Sequence, residues 1–451
     1  MHRMEFGFDI AALTAYLVSH HPDEFAAPFE LTKFEIGQSN PTFLLLSGAG
    51  THEQPRKFVL RKKPAGTLLP TAHAVEREAL VLRALRRTDS GVPVPRVVAL
   101  VEDASVIGTA FYVMDFCEGA VHQDLALDEL PPPERWACFR DAMRAIARLH
   151  AVDIDAAGLG SYGKREGNFY PRQVARMART SRAQELAPGS AGLPPGSEGV
   201  PPLPHLDELC AVFRSRMPPD VCTIIHGDYK IGGLCLVGFA PQPKSPPAPR
   251  PPFPSPPLPR ILRTLPSSPR AHPPHPPHTP PTPARPPQPD NMVFRHPADP
   301  AAPGAAELPR LAALLDWELS TLGNPLSDLA NFCLPYHSSA FPLYSSFAEV
   351  GVAAGVPTER QMLAWYCADS GGRFTMEALE PHWPACVAFS FFRLSVILQG
   401  VAFRSCRGVA SQADKGAFVG SFAGQAAEAA WDIMNHGFQH DGSPAGGSKL
   451  R

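Results

Sequence analysis

Ile224-Ile225-His226-Gly227-Asp228-Tyr229-Lys230-Ile231 decides how this chain is read, taken with Asp290-Asn291-Met292-Val293-Phe294 and Leu314-Leu315-Asp316-Trp317-Glu318. Residues 232–289 stand between the first two pieces. They are too rich in proline to share a folded unit with them, because proline removes the backbone donor that helices and central strands need. Without them the chain reads His-Gly-Asp-Tyr-Lys-Ile-Asp-Asn, that is H-x-D-x-x-x-x-N, and an aspartate closes an apolar run some two dozen residues later. The pattern gathers the groups that phosphoryl transfer needs. Asp228, delivered by the apolar residues 221–225, suits the acceptance or orientation of a proton from an attacking hydroxyl. Asn291 offers an amide oxygen and Asp316 a carboxylate to magnesium, and Lys230 offers a positive charge to the γ-phosphate. His226 belongs to the same catalytic loop, where it reads as a brace through hydrogen bonds rather than as a base.

The bulk properties narrow the partners. With 41 Lys and Arg against 43 Asp and Glu there is no general field to attract nucleic acid or an anionic membrane. A length of 451 residues suggests two or three structural units. The nine cysteines form no C-x-x-C pair and have no histidine at zinc spacing, which points to reduced, intracellular thiols. The N-terminus lacks the apolar core of a signal peptide. The most apolar run, residues 388–403, is broken by Arg393 and Gln399 and reads as too short for a membrane span. Ser448-Lys449-Leu450 is followed by Arg451, so it does not form the terminal peroxisomal address.

Upstream, residues 8–19 carry helical apolar spacing. Two strand-like runs flank Gly37-Gln38-Ser39-Asn40, a tip of small and polar residues whose backbone N–H groups and a hydroxyl suit a triphosphate, with Ser39 and Asn40 as candidate nucleotide-binding residues; an ordinary turn is the alternative. The strand from Lys57 carries Arg61, with Lys62 as a rival, to meet the α and β phosphates. Residues 73–87 read as a helix on which Glu78 fixes that cation by an ion pair. Residues 92–101 and 108–119 read as two further strands. The second leads into a hinge whose backbone, from Met114 to Cys117, holds adenine. Trp136, Phe139, Met143, Ile146 and Leu149 then form a core helix ending at His150, which reads as a cap contact. Residues 185–206 read as a surface loop, and 206–216 as a short helix.

The interrupting block holds 23 of the chain's 54 prolines and no Asp or Glu, so it is expected to be disordered or partly polyproline II. Closing a loop lengthened by it costs only a few kcal/mol, a price the fold can bear. Its removal restores the motif without losing a residue, and Gly232 and Pro289 are compatible with splice signals, which favours translated non-coding sequence. The competing reading is a P-x-x-P docking segment for an SH3 or WW partner.

Four features in order, the Arg61 strand, the Glu78 helix, Asn291 and Asp316, make the protein-kinase-like arrangement specific, with Gly in place of Arg after the histidine. Gly37 to Phe43, Val59 to Pro64, His226-Gly227-Asp228, Asp290-Asn291 and Leu315 to Ala330 resemble the aminoglycoside phosphotransferase and choline kinase group. Arg61-Lys62-Lys63-Pro64, Ser105 to Thr109 and Asp316 to Thr321 resemble the kinase domain of acyl-CoA dehydrogenase family members 10 and 11. The resemblance covers roughly residues 30–435 apart from the block. It implies ATP-dependent, magnesium-assisted phosphorylation of a small-molecule hydroxyl, on a 4-hydroxy acid or its CoA thioester in fatty-acid catabolism. The implied location is mitochondrial or peroxisomal, and cytoplasmic otherwise. No dehydrogenase domain follows residue 435, so chemistry after phosphorylation is expected elsewhere.

The expected architecture is α+β and bilobal: a β-rich N-lobe over residues 1–117, a helical C-lobe over 118–231 and 290–435, the Pro-rich insert 232–289 and a tail 436–451. Glu318 supports the metal site. Asp328 either braces the catalytic loop or caps a helix. Trp365-Tyr366 and Phe389-Phe391-Phe392 complete the larger lobe and line an acceptor pocket. Two rival classes are a pseudokinase disabled by its split loop and a proline-mediated interaction protein.

Overall fold

The computed structural model describes residues 6–34, 40–50, 55–64, 74–165, 168–190, 199–232, 291–296, 308–338, 347–407 and 413–438. Gly37-Gln38-Ser39, the proline-rich block beyond Gly232, and the tail beyond Phe438 lie outside these residues, and with them the expectations placed there.

Five antiparallel strands form the N-terminal sheet: β1 (Phe29–Lys33), β2 (Thr42–Ser47), β3 (Arg56–Lys62), β4 (Val97–Val101) and β5 (Phe111–Asp115), in the order β1-β2-β3-β5-β4. Side chains alternate between the faces of a strand. On one face Phe58, Leu60, Phe111 and Val113 meet Leu13 and Leu17 of helix α1 (Ile10–His20). On the other, Val59, Tyr112 and Met114 meet Val75, Ala79 and Leu82 of helix α2 (Val75–Arg87). That second face runs into the core of the helical lobe, so whatever β3 presents beyond Val59 points toward the junction of the lobes.

Strand β4 is shorter than expected. Residues 92–96 are not strand, because Pro93 and Pro95 remove ladder donors. Instead the carbonyl of Pro93 accepts the N–H of Leu314, 2.8 Å away, and ties the N-lobe to the strand leading to Asp316.

In the helical lobe, α3 (Pro132–Ala151) buries Phe139, Ala142, Met143, Ile146 and Leu149. Helix α4 (Phe169–Gln184) follows, buried through Phe169, Tyr170, Val174 and Met177; no expectation was placed on it. Helix α5 (Leu206–Arg216) precedes two antiparallel strand pairs that carry the chemistry. One pairs β6 (Thr223–Ile225) with β9 (Thr321–Gly323), the other β7 (Met292–Arg295) with β8 (Arg310–Leu314). Between β8 and β9 a 3-10 turn, Trp317–Leu319, buries Trp317, whose indole N–H donates to Leu314 O at 3.0 Å. Truncating such a side chain costs about 3–5 kcal/mol. Helix α6 (Leu326–Cys333) comes next.

The run Met376–Cys406 is long and apolar enough to cross a membrane, an 18-residue window within it having mean hydropathy 1.8, beyond what the interrupted sequence suggested. Yet 72% of that window is buried inside the protein, and the two polar interruptions of the run find partners. Arg393 donates to Gly227 O at 2.6 Å and Gln399 to Pro201 O at 3.0 Å.

Candidate active site between the lobes

Strand β6 delivers His226 into a loop whose backbone is held from below. Asp328, near the start of α6, accepts the N–H of His226 at 2.6 Å and that of Gly227 at 2.8 Å. Of the two roles weighed for Asp328, this is the brace; helix α6 has Pro325 at its cap position, and no side-chain capping bond. Gly227 sits at φ +84°, and a Cβ there would stand 2.4 Å from Leu319 O. Only glycine fits both the backbone conformation and that contact.

His150 corrects an expectation. It caps nothing: it is fully buried, with Nε2 3.3 Å from Asp328 Oδ2 and Nδ1 3.0 Å from the Tyr366 hydroxyl. The helical register of α3 carried no sign of a partner 178 positions away. Burial pushes the His150 imidazole below its ordinary range, so it rests neutral. Burial pushes the Asp328 carboxyl up, but the His150 hydrogen bond, the neighbouring histidines and the Gly227 N–H outweigh it and hold the group below the usual carboxylate range.

Both ring nitrogens of His226 are engaged. Nε2 stands 2.9 Å from Leu315 O and must donate to it, while Nδ1 accepts the Asp228 N–H at 3.3 Å. A ring with both nitrogens committed to loop geometry holds the turn and has no lone pair left for a substrate proton.

Asp228 and Asn291 meet across the interrupting block. The Asn291 amide nitrogen donates to Asp228 O at 2.6 Å and to Asp228 Oδ2 at 2.9 Å. Lys230 Nζ reaches the same Oδ2 at 2.8 Å. The side chains of Asp228 and Lys230 remain 25% and 32% exposed, open to the cleft.

Above them lies Arg61, between two acidic groups of the other lobe and one of its own. Its Nη2 is 2.6 Å from Asp316 Oδ1 and 3.5 Å from Glu318 Oε2, and its Nε is 3.0 Å from Glu78 Oε2. Glu78 also accepts from Asn40 Nδ2 at 2.8 Å and from the Tyr112 hydroxyl at 3.1 Å. Burial raises the Glu78 carboxyl and the Asp316 and Glu318 charges add to this, against the lowering pull of Arg61; the group ends up at about 7. The rivalry of Arg61 and Lys62 is decided by strand alternation. Arg61 shares the lobe-junction face with Val59, whereas Lys62 points to the α1 face, its Nζ 5.6 Å from the Phe8 ring centroid. Asn40, expected at the nucleotide, has a buried side chain whose amide nitrogen donates to Glu78, because a buried carboxylate needs its lone pairs satisfied.

At the hinge, the N–H groups of Asp115 and Phe116 are engaged with Arg96 O and Lys57 O. Met114 turns its side chain into the core, and its backbone lies in the sheet between Val59 and Val97. Cys117 is half-buried, and burial pushes its thiol up to about 11. The following segment is pinned to the C-lobe by paired bonds between Ala120 and Phe294, at 2.7 and 2.8 Å.

Beside Asp228 opens a cavity of about 200 Å³. Leu125, Phe332, Leu394 and Ile397 give it an apolar wall, Lys230 and Arg393 are its cations, and Asp228 is the one carboxylate on its lining among the described residues. Arg393 escaped the sequence reading, although a charge inside so apolar a run was itself a signal.

Comparison with known proteins matches residues 30–236 to the phosphotransferase enzyme family. A crystal structure from Ralstonia eutropha, described as a candidate aminoglycoside phosphotransferase, superposes with a TM-score of 0.64 at 31% identity, covering 95% of this chain and 98% of that one. Mouse acyl-CoA dehydrogenase family member 10 is 33% identical over 427 residues, 94% of this chain and 31% of the relative. Rat acyl-CoA dehydrogenase family member 11 is 31% identical over 414 residues, 90% of this chain and 41% of the relative. The chain thus spans less than half the length of these curated relatives.

Proposed function

Because the chain belongs to the phosphotransferase enzyme family, we propose that it moves the γ-phosphoryl group of Mg-ATP onto a hydroxyl of a small amphiphilic acid, of the 4-hydroxy acid or 4-hydroxyacyl-CoA kind. The observation that carries the acceptor class is the cavity beside Asp228. Its apolar wall suits an acyl chain, and Lys230 and Arg393 suit an anionic end. A polycationic aminosugar would meet two like charges there and a single carboxylate, an arrangement that rejects it. The names of the curated relatives, acyl-CoA dehydrogenase family members, agree with an acyl-CoA as the acceptor class.

The residues present fit a magnesium-nucleotide. Asp316, 34% exposed in the cleft, and Asn291 form a sparse oxygen donor set, which is what magnesium uses when phosphates and waters complete its shell. When bound, the ion neutralises charge on the phosphate oxygens. In this mechanism Asp228 receives the acceptor hydroxyl's proton as that oxygen bonds to phosphorus and the γ-phosphorus separates from the leaving diphosphate oxygen. Lys230 and Asn291 hold the Asp228 carboxylate, fixing its aim at the hydroxyl. Arg61, held by Glu78, offers charge to the phosphates, and the His226-Asp328-His150 brace keeps the loop from relaxing. The hinge backbone near Cys117 holds adenine.

The test is detection of phosphorylated product by mass spectrometry when the whole chain is given ATP, magnesium and, separately, a 4-hydroxyacyl-CoA, the free 4-hydroxy acid and an aminosugar. Product from the aminosugar alone would overturn the acceptor class. Retained nucleotide binding without any product would make the protein a pseudokinase.

A further inference from the structure

Just past the hinge, two histidines face each other. His122 Nε2 and His296 Nε2 are 3.1 Å apart. His122 lies just past the hinge, after the Ala120–Phe294 pairing, and His296 directly follows β7. Each ring has a carboxylate at its other nitrogen: Glu129 Oε1 is 2.5 Å from His122 Nδ1, and Glu134 Oε2 is 3.3 Å from His296 Nδ1.

The tautomers conflict. A carboxylate beside Nδ1 fixes the proton there, on both rings, so both Nε2 atoms present lone pairs to each other. Two lone pairs at hydrogen-bond distance repel unless a cation lies between them. The arrangement of a carboxylate, a histidine and a converging Nε2, made twice, is the one that orients imidazoles toward a metal ion. Tetrahedral coordination at 2.0–2.1 Å per bond sets two ligand nitrogens about 3.3 Å apart, close to the spacing found here. His122 is nearly buried, with its side chain 6% exposed, and His296 is 23% exposed, so one ring is fixed and the other opens to solvent.

We infer that His122 and His296 form a binding site for a divalent transition-metal ion of the zinc class, with Glu129 and Glu134 orienting the two rings. Among the described residues no group of three or more His, Cys, Asp or Glu side chains is placed to hold a metal ion, so the protein supplies two ligands, the glutamates stand behind the rings, and water completes the coordination. Occupancy ties the segment after the hinge to the end of β7, and both to the start of α3 through Glu134. Its test needs no turnover.

Zinc chloride is titrated into the full chain by calorimetry, with cobalt absorption as a check on tetrahedral geometry, and into the variants His296→Ala, Glu129→Gln and Glu134→Gln. The insert histidines His272, His275 and His278 are present in every protein, so only the difference from the parent counts. The expected result is one equivalent lost in His296→Ala, and binding weakened roughly 10- to 100-fold in each glutamine variant. The melting midpoint should rise with zinc by mass action, and by less in His296→Ala than in the parent. Equal zinc stoichiometry and equal thermal response in parent and His296→Ala would overturn the inference and leave the pair sharing a proton. The glutamine variants retain both rings, so loss of folding in His296→Ala alone would not rescue it.

Discussion

The Asn291 side-chain amide stands 2.9 Å from Asp228 Oδ2, although 63 positions of sequence separate the two residues. Most of that separation is the proline-rich block, yet β6 and β7 hold the ends in place, each pairing with a neighbour on either side of the Asp316 turn. The Asp228–Asn291 contact is therefore positioned by the two strand pairs that flank it.

A protein in which residues 232–289 are removed, joining Ile231 to Asp290, should then keep the pair and its chemistry. Loop-closure entropy predicts a gain in stability of about 2 kcal/mol. Denaturant unfolding and product formation measure both. A shortened chain that folds but turns over far more slowly than the full chain would show that the block matters to the site.

Asp228→Asn should lower kcat by about 10²- to 10⁴-fold, the range for loss of a general base, while nucleotide affinity changes little. The reason is that Arg61, the cation offered to the phosphates, is held by Glu78 and Asp316 and not by Asp228, and an amide at position 228 can still accept the hydrogen bonds of Lys230 and Asn291. Single-turnover kinetics and binding of a non-hydrolysable ATP analogue separate the two effects. An equal loss in both would remove Asp228 from the proton-accepting role.

Nucleotide affinity of the free protein should rise with pH through about 7, where Glu78 ionises and locks Arg61. The sign for stability is opposite. The unfolded chain loses this proton near pH 4.3 and the folded protein holds it to about 7, so the Glu78 contribution to stability falls across that window as pH rises. Glu78→Gln should flatten the affinity profile at its low-pH level. A variant profile that still climbs through the same range would assign the titration to another group.

Acid should unfold the protein in two steps that trace to the buried brace. His150 stays neutral when folded, while the unfolded chain takes up a proton below about pH 6.5, so stability falls as pH drops below that point. The depressed Asp328 carboxyl adds a second loss below about pH 3.9. Urea midpoints measured against pH should show the upper step in the parent and not in His150→Gln. Parallel curves would mean that the ring is protonated inside the fold.

Gly227→Ala should disable the loop without touching a reacting group. The positive φ costs about 1–3 kcal/mol for a residue with a Cβ. The contact with Leu319 O forces the backbone carrying Asp228 to shift. A lower melting midpoint together with a large drop in kcat is expected; wild-type values for both would show the turn to be tolerant.

The chain order of the chemical groups was legible in the amino-acid sequence. His226, Asp228, Asn291 and Asp316 have meaning through spacing and through the ends of apolar runs, and local patterning is enough to find strands and helices. Sequence also fixed that Arg61 and Lys62 point to opposite faces, since alternation is a property of any strand. Which face meets the other lobe depends on where α1 and α2 pack, and that is a tertiary matter. The same holds for Asn40, turned inward to Glu78, and for Arg393, reaching Gly227 from a helix 166 positions on. Asp328 holds His226 across 102 positions and His150 across 178. Partners so distant leave no trace in local spacing, because burial selects them only once the apolar surfaces have closed and a buried polar group must find what is near. Composition and order set what the site is made of; packing alone decided which of those atoms meet.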